Sequence, residues 1–212
     1  MIRNVIFDFG KVLVGYDYVS LLRDICPSAE AADDFLHRLT TGGWTERIDL
    51  ENEPIAQTVA DMQQAMPQHA ETVRRFWTRY TEFVTGEVKG MRALLVRLRA
   101  EGYRLFGLSN WCSKVNDTMR QYPIFQLLDG RVLSSEEHLA KPDLAIYRRT
   151  CRKLGIEAAE CVFVDDREEN VAAARACGMQ AVRFTGADAL GGELSAIVAR
   201  EGGVPARIIR QI

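Results

Sequence analysis

The spacing of apolar residues changes character twice along the chain. It opens on Val5-Ile6-Phe7, a run with no polar alternation, which predicts a strand buried on both faces of a parallel sheet. From about Tyr16 to Val88 the apolar residues recur at three- and four-residue steps: Leu21, Leu22 and Ile25; Phe35, Leu36 and Leu39; Ile55, Val59 and Met62; Val73, Phe76, Trp77 and Tyr80. That periodicity predicts helices packed on one another. Breakers at Cys26-Pro27-Ser28, Thr41-Gly42-Gly43, Glu53-Pro54 and Met66-Pro67 divide the stretch into four or five helices, with no buried strand among them.

From Lys89 the pattern becomes strands alternating with helices. Met91, Leu94, Leu95 and Leu98 mark an amphipathic helix, and Arg104 to Ser109 a second apolar strand. A helix from Ser113 to Gln121 and a short strand near Arg131 to Ser134 follow. Lys141-Pro142 then places proline in the first turn of a helix carrying Leu144, Tyr147, Cys151 and Leu154. Cys161 to Val164 is a third buried strand, Ala172 to Ala174 lie in the next helix, Gly178 caps it, and Gln180 to Phe184 is the last strand. A terminal helix around Leu194 to Ala199 and a basic tail complete the chain. Such alternation implies an α/β fold, a three-layer sandwich around a parallel sheet, with residues 1–14 and 89–212 as the core and 15–88 as an inserted α-helical cap.

Bulk properties narrow the partners. The 212 residues carry a formal charge of −2, and no run of Lys and Arg or long apolar segment suggests nucleic acid or membrane. A cytoplasmic protein acting on a small soluble molecule, as a monomer or homodimer, fits these numbers. Five scattered cysteines without a CxxC pair and three separated histidines indicate neither a disulfide framework nor a zinc site.

Ligands in open α/β sheets bind beyond the carboxyl ends of the strands. Three strands here end in polar residues: Asp8, Ser109 with Asn110, and Asp165 with Asp166. Carboxylates converging at one edge repel each other unless a hard cation sits between them, and oxygen ligands suit Mg²⁺. Asp8, Asp166 and the Gly10 carbonyl supply such a shell, with Asp165 acting directly or through water. A carboxylate can also serve as nucleophile; Ser109 and the amides near Asn110 can hold phosphate oxygens, and Lys141 can neutralise charge on a phosphoryl group. Phosphoryl transfer needs chiefly positioning and electrostatic stabilisation, which this set provides.

The chain resembles the haloacid dehalogenase-like hydrolase superfamily. The resemblance rests on four stretches in order: Phe7-Asp8-Phe9-Gly10-Lys11-Val12-Leu13, Leu108-Ser109-Asn110, Lys141-Pro142, and Val164-Asp165-Asp166 followed by Asn170 and the alanine-rich helix. It implies Asp8 as nucleophile, Ser109 and Lys141 as phosphate contacts, Asp8, Asp166 and the Gly10 carbonyl as Mg²⁺ ligands, and Asp165 as a supporting acid or ligand. The helical insert matches the family's cap domain. Asp8-Phe9-Gly10 also resembles a subgroup of family phosphatases, some of which act on sugar phosphates such as glucose 1-phosphate.

One departure stands out. Family phosphatases usually carry a second aspartate two residues after the nucleophile, to protonate the leaving alcohol and then activate water; this chain has Gly10 there. A general acid is worth roughly 10² to 10⁴ in rate. The expected activity is Mg²⁺-dependent hydrolysis of a small phosphorylated metabolite, with two alternatives: a metal-independent 2-haloacid dehalogenase, whose halide needs no proton, or a non-catalytic phosphate-binding or regulatory protein. Asp17 is a possible substitute acid and a possible helix cap. Trp44, Glu46 and Arg47, after Gly42-Gly43, form a candidate cap loop facing the substrate, and Trp111 either walls the pocket or belongs to the core. Cys112 has no histidine placed to activate it.

Overall fold

The computed structural model of the chain describes residues 1–200; the basic tail lies outside them. The chain opens with strand β1 (Asn4–Phe7) and a short strand β2 (Val14–Tyr16). Helices α1 (Tyr18–Ile25), α2 (Ala29–Thr41), α3 (Trp44–Leu50), α4 (Ile55–Ala65) and α5 (Ala70–Thr78) follow, and then strand β3 (Val84–Glu87). The remainder runs α6 (Met91–Ala100), β4 (Arg104–Ser109), α7 (Val115–Gln121), β5 (Gly130–Leu133), α8 (Ser134–Glu137), α9 (Leu144–Leu154), β6 (Cys161–Asp165), α10 (Glu168–Ala176), β7 (Gln180–Arg183) and α11 (Ala187–Arg200). Among the described residues no helix is long and apolar enough to cross a membrane.

The parallel sheet has the order β5-β4-β1-β6-β7, with β1 in the middle. Asn4 to Phe7 pair with Arg104 to Gly107 on one side and with Cys161 to Val164 on the other. Both faces of β1 are covered, as its unbroken apolar run requires. Val5 and Phe7 belong to the cluster that holds Leu94, Leu98 and Leu194 of α6 and α11. Ile6 packs on the opposite side, with Ile146, Tyr147, Val171 and Ala174 of α9 and α10. Because the strands run in one direction, their carboxyl ends share one edge, and Asp8, Ser109 and Asp165 arrive there together.

The helical insert is joined to this core by a ribbon absent from the sequence reading. Strands β2 and β3 pair antiparallel, Val14 with Glu87 and Gly15 with Gly86, at the two points where the chain leaves and re-enters the sheet domain. Three and four residues carry too little alternation to register as strands. Inside the insert, rings pack among the aliphatic side chains: Tyr18 and Phe83 lie 4.1 Å apart, Phe76 and Tyr80 5.6 Å, and Phe83 stacks on Trp111 of the core at 5.7 Å. Trp111 is therefore a buried joint between insert and core.

Other expectations shift in detail. Pro142 precedes α9 instead of entering its first turn: Asp143 is the N-cap, accepting from Ala145 N, and the Lys141-Pro142 peptide is cis. The buried face of α9 is Ile146, Tyr147 and Thr150. The last helix begins at Ala187, well before Leu194.

Candidate active site

The edge formed by β1, β4 and β6 gathers the expected polar residues into one buried network. Asp8 follows β1 directly, and its amide donates to Val164 O at 2.9 Å, which fixes it level with Asp165. Ser109 Oγ donates to Asp8 Oδ1 at 2.9 Å. Lys141 Nζ reaches the same oxygen at 2.8 Å and Asp165 Oδ2 at 2.7 Å. Lys141 is held from behind as well: Asn110 Nδ2 donates to Lys141 O (2.9 Å) while Lys141 N donates to Asn110 Oδ1 (2.8 Å). The Asn110 side chain is thus engaged in clasping the lysine.

Asp165 is fully buried and has its acceptor capacity filled. Besides Lys141 it accepts from Arg167 N at 2.9 Å and, on both oxygens, from Asn170 Nδ2 at 3.0 Å. Asp166 is different. It is partly exposed, and its only ion pair among the described residues is with Lys11 Nζ at 3.9 Å. Lys11 itself sits in the left-handed region at φ 61°, a strained conformation of the kind that collects at functional turns.

Carboxylate oxygens of Asp8, Asp165 and Asp166 lie within 4.8 Å of one another. Three carboxylates face one buried ammonium, so the cluster is over-supplied with negative charge. Burial raises the Asp8 pKa, against the pull of Lys141 and with Asp165 adding to the rise. Burial also raises that of Asp166, and the Asp165 charge adds to it. Burial works against the Lys141 ammonium, yet the two carboxylates outweigh it and hold its pKa above the usual lysine value. A hard divalent cation would relieve this imbalance, and an all-oxygen donor set with uncommitted atoms on Asp8 and Asp166 fits Mg²⁺.

Gly10 is required where it stands. A Cβ at this position would lie 2.7 Å from Cε1 of Tyr16, so the space that a side chain at residue 10 would take is filled by that ring. Burial and the charges of Asp166 and Asp8 push the Tyr16 phenol up to about 12.

Several expected groups lie elsewhere. Trp44, Glu46 and Arg47 are part of α3 and do not form a loop, because Gly42 and Gly43 end one helix and start the next. Arg47 is engaged within the insert by Glu53 and Asp61, and its guanidinium lies 5.3 Å from the Trp44 ring. The structure therefore does not bring Trp44 and Arg47 together with Asp8, Ser109 and Lys141. Asp17 caps α1, accepting from Ser20 N at 3.0 Å. Cys112 is buried, and burial pushes its thiol up to about 12, which suits packing and not nucleophilic attack.

One acidic residue of the insert that sequence patterning passed over is coupled electrostatically to the site. Asp49, in the last turn of α3, has its pKa pushed up to about 8, first by burial and then by the Asp8 carboxylate, with Lys141 and Arg167 opposing. Nothing in the local pattern marks it, since its place depends on how α3 docks.

The sequence matches the family model for haloacid dehalogenase-like hydrolases over residues 2–178. The chain belongs to that family. Among curated relatives of this hydrolase, a sesquiterpene phosphatase of Aspergillus oryzae is 34% identical over 45% of this chain and 49% of its own length. Flavin mononucleotide hydrolase 1 of Arabidopsis thaliana is 31% identical over 50% of this chain and 43% of its own. The chain thus spans about half the length of the curated relatives it matches. A HAD-family enzyme of Bacteroides thetaiotaomicron, solved with magnesium and inorganic phosphate, shares the fold at a TM-score of 0.73 and 20% identity, over 88% of this chain and 96% of that one.

Proposed function

We propose that this hydrolase is a Mg²⁺-dependent phosphatase that transfers the phosphoryl group of a small phosphate monoester to Asp8 and then to water. The observation that carries the reading is the pairing of Lys141 with both Asp8 and Asp165 beside the half-buried carboxylate of Asp166, whose own partner Lys11 is 3.9 Å away. A metal-free dehalogenase would leave three buried or half-buried carboxylates facing one ammonium. The two curated relatives are named as phosphatases of a terpenoid and of a flavin nucleotide, and the Bacteroides neighbour was solved with both magnesium and phosphate, which supports the same reading.

In this scheme Asp8, Asp166 and the Gly10 carbonyl would hold Mg²⁺, which when bound neutralises charge on the phosphoryl oxygens. Asp8 Oδ1, already aligned by Ser109 and Lys141, is kept in place by two donors that also suit phosphoryl oxygens. Lys141 balances the charge that builds on the transferring group, and Asp165 with Asn110 positions it for that task. The 15–88 cap covers the site and excludes water during transfer. The sugar-phosphate preference suggested by Asp8-Phe9-Gly10 belongs to the same proposal as one candidate specificity.

The test is hydrolysis of p-nitrophenyl phosphate, glucose 1-phosphate, flavin mononucleotide and farnesyl phosphate, each in Mg²⁺ and in EDTA. Turnover that requires Mg²⁺ and disappears in Asp8→Asn is the expected result. Release of halide from 2-haloacids that survives EDTA would overturn it. Mg²⁺-dependent phosphate binding without hydrolysis of any ester would instead support a binding role.

A further inference from the structure

A phosphatase that releases an alkoxide needs a proton for it, and position 10 has no room to supply one. The Tyr16 ring, 2.7 Å from where a Cβ would stand, occupies that place. The insert brings a different carboxyl to the same region. Asp49 is the penultimate residue of α3, and this end of the helix is fastened to the core by a set of hydrogen bonds. Ser134 Oγ donates to Asp49 O at 2.6 Å and accepts from Trp111 N at 2.9 Å. His138 Nδ1 meets Leu50 O at 3.0 Å, and Glu51 accepts from Ser113 N and Oγ at 2.7 and 2.9 Å. Trp111 follows Asn110, whose side chain clasps Lys141. One hydroxyl bridge therefore ties the Asp49 backbone to the loop that holds the phosphate-site lysine.

The Asp49 side chain is poised and unpaired. Among the described residues no hydrogen bond or ion pair reaches its carboxyl. The half-buried residue lines a cavity of about 70 Å³ within the insert, with Tyr18, Thr45, Ile48, Phe76 and Tyr80, a largely apolar setting that favours the neutral acid. Charged groups of the core act on it through space: Asp8 disfavours its anion, and Lys141 and Arg167 favour it. The phenols of Tyr16, Tyr18 and Tyr80 and the thiol of Cys112 feel its charge. Its place near the carbonyl end of α3 disfavours the anion further.

Resting on the phosphatase reading above, we propose that Asp49 is the general acid and base of this enzyme, delivered by the cap in place of the aspartate that Gly10 cannot be. In the first half-reaction, the ester P–O bond breaks as Asp8 Oδ bonds to phosphorus, and the Asp49 carboxylic acid gives its proton to the departing oxygen. In the second, the Asp49 carboxylate takes a proton from the water that attacks phosphorus. Phosphate leaves, Asp8 is freed and Asp49 is an acid again. A carboxyl held near 8 carries its proton at neutral pH, as the first half requires. Tyr16, pushed to about 12, is a far weaker donor.

The decisive experiment compares two leaving groups in Asp49→Asn by rapid quench with Mg²⁺. An alkyl phosphate from the panel needs a proton on its oxygen, whereas p-nitrophenolate leaves without one. The proposal expects alcohol release from the alkyl ester to slow by roughly 10² to 10⁴. The p-nitrophenolate burst should stay within several-fold of wild type, followed by slow hydrolysis of phospho-Asp8. Asp49→Glu should recover part of the alkyl rate. Equal slowing of both esters, or slowing of neither, overturns the assignment. Wild-type protein that hydrolyses only the aryl ester also overturns it while leaving the phosphatase reading intact. Wild-type protein that hydrolyses neither removes that reading, and this proposal with it.

Discussion

Asp165 of the core and Asp49 of the insert are both coupled electrostatically to Asp8, and their surroundings differ in kind. Asp165 accepts from a lysine, a backbone amide and, on both of its oxygens, the amide nitrogen of an asparagine, and no solvent reaches it. Asp49 is placed entirely through its backbone and its helix, and its carboxyl has no partner of its own. A carboxylate satisfied on every oxygen keeps its position, which suits the proposed task of aiming Lys141. A carboxyl left unpaired in an apolar setting keeps a proton it can give away, which suits acid–base work.

The largest expected effect separates the two regions by their dependence on the leaving group. Asp8→Asn removes the proposed nucleophile and should lower turnover by roughly 10⁴-fold or more on every ester, alkyl and aryl alike. Loss confined to one ester class would put Asp8 in the wrong role. Steady-state rates on the same substrate panel decide it.

Next in size is the consequence of breaking the over-determined side. Lys141→Met leaves Asp8 and Asp165 buried beside each other without their shared cation. Removing one member of a buried ion pair typically destabilises by about 3–5 kcal/mol. Urea unfolding in EDTA should show a loss of that order. Since Mg²⁺ meets more uncompensated negative charge in the variant, its addition should raise the Tm by more than it does in wild type. An equal or smaller rise would mean that Lys141 does not share the charge balance of the metal cluster.

The two regions were also unequally legible in the sequence. Asp8, Ser109 and Asp165 stood out because each lies at the carboxyl end of an apolar strand, Lys141 because a proline follows it, and parallel topology carries the strand ends to one edge. The helices of the insert were legible as elements from their periodicity. Their placement on the core was not, because docking is set by contacts such as Phe83 on Trp111 and Ser134 on Asp49 that link residues far apart in the chain. Trp44 and Arg47 drew attention by their chemistry and are engaged within the insert; Asp49, two residues beyond Arg47, carried no signal of its own. Tyr16 was visible only as the start of the insert, since its contact with Gly10 depends on the turn between them.

That contact offers a way to restore the acid to the core. Gly10→Asp alone forces a side chain into the Tyr16 ring and should destabilise by about 1–3 kcal/mol, the usual result of overpacking. Tyr16→Ala alone opens a void in the same place. Combined, the two should compensate, with a favourable coupling of about 0.5–3 kcal/mol in a double-mutant cycle of unfolding free energies. Strict additivity would show that Tyr16 does not fill the position.

The smallest effect tests the cap's side by stability alone, in metal-free protein. Between 3.8 and about 8 the folded enzyme holds on Asp49 a proton that the unfolded chain has released. Folding in that window therefore takes up a proton, so Asp49 lowers stability progressively as pH rises, and its penalty levels off above about 8. Asp49→Asn removes the penalty. Its Tm should match wild type near pH 4 and exceed it by a few degrees at pH 8, with the gap opening between those values. Asp165→Asn should lower the Tm instead, because it deprives Lys141 of a buried partner. A group that weakens the fold at working pH, placed by hydrogen bonds that leave its carboxyl unpaired, is what a cap-borne acid looks like in a stability measurement; an Asp49→Asn variant no more stable than wild type at pH 8 would show a carboxyl that is solvated and charged.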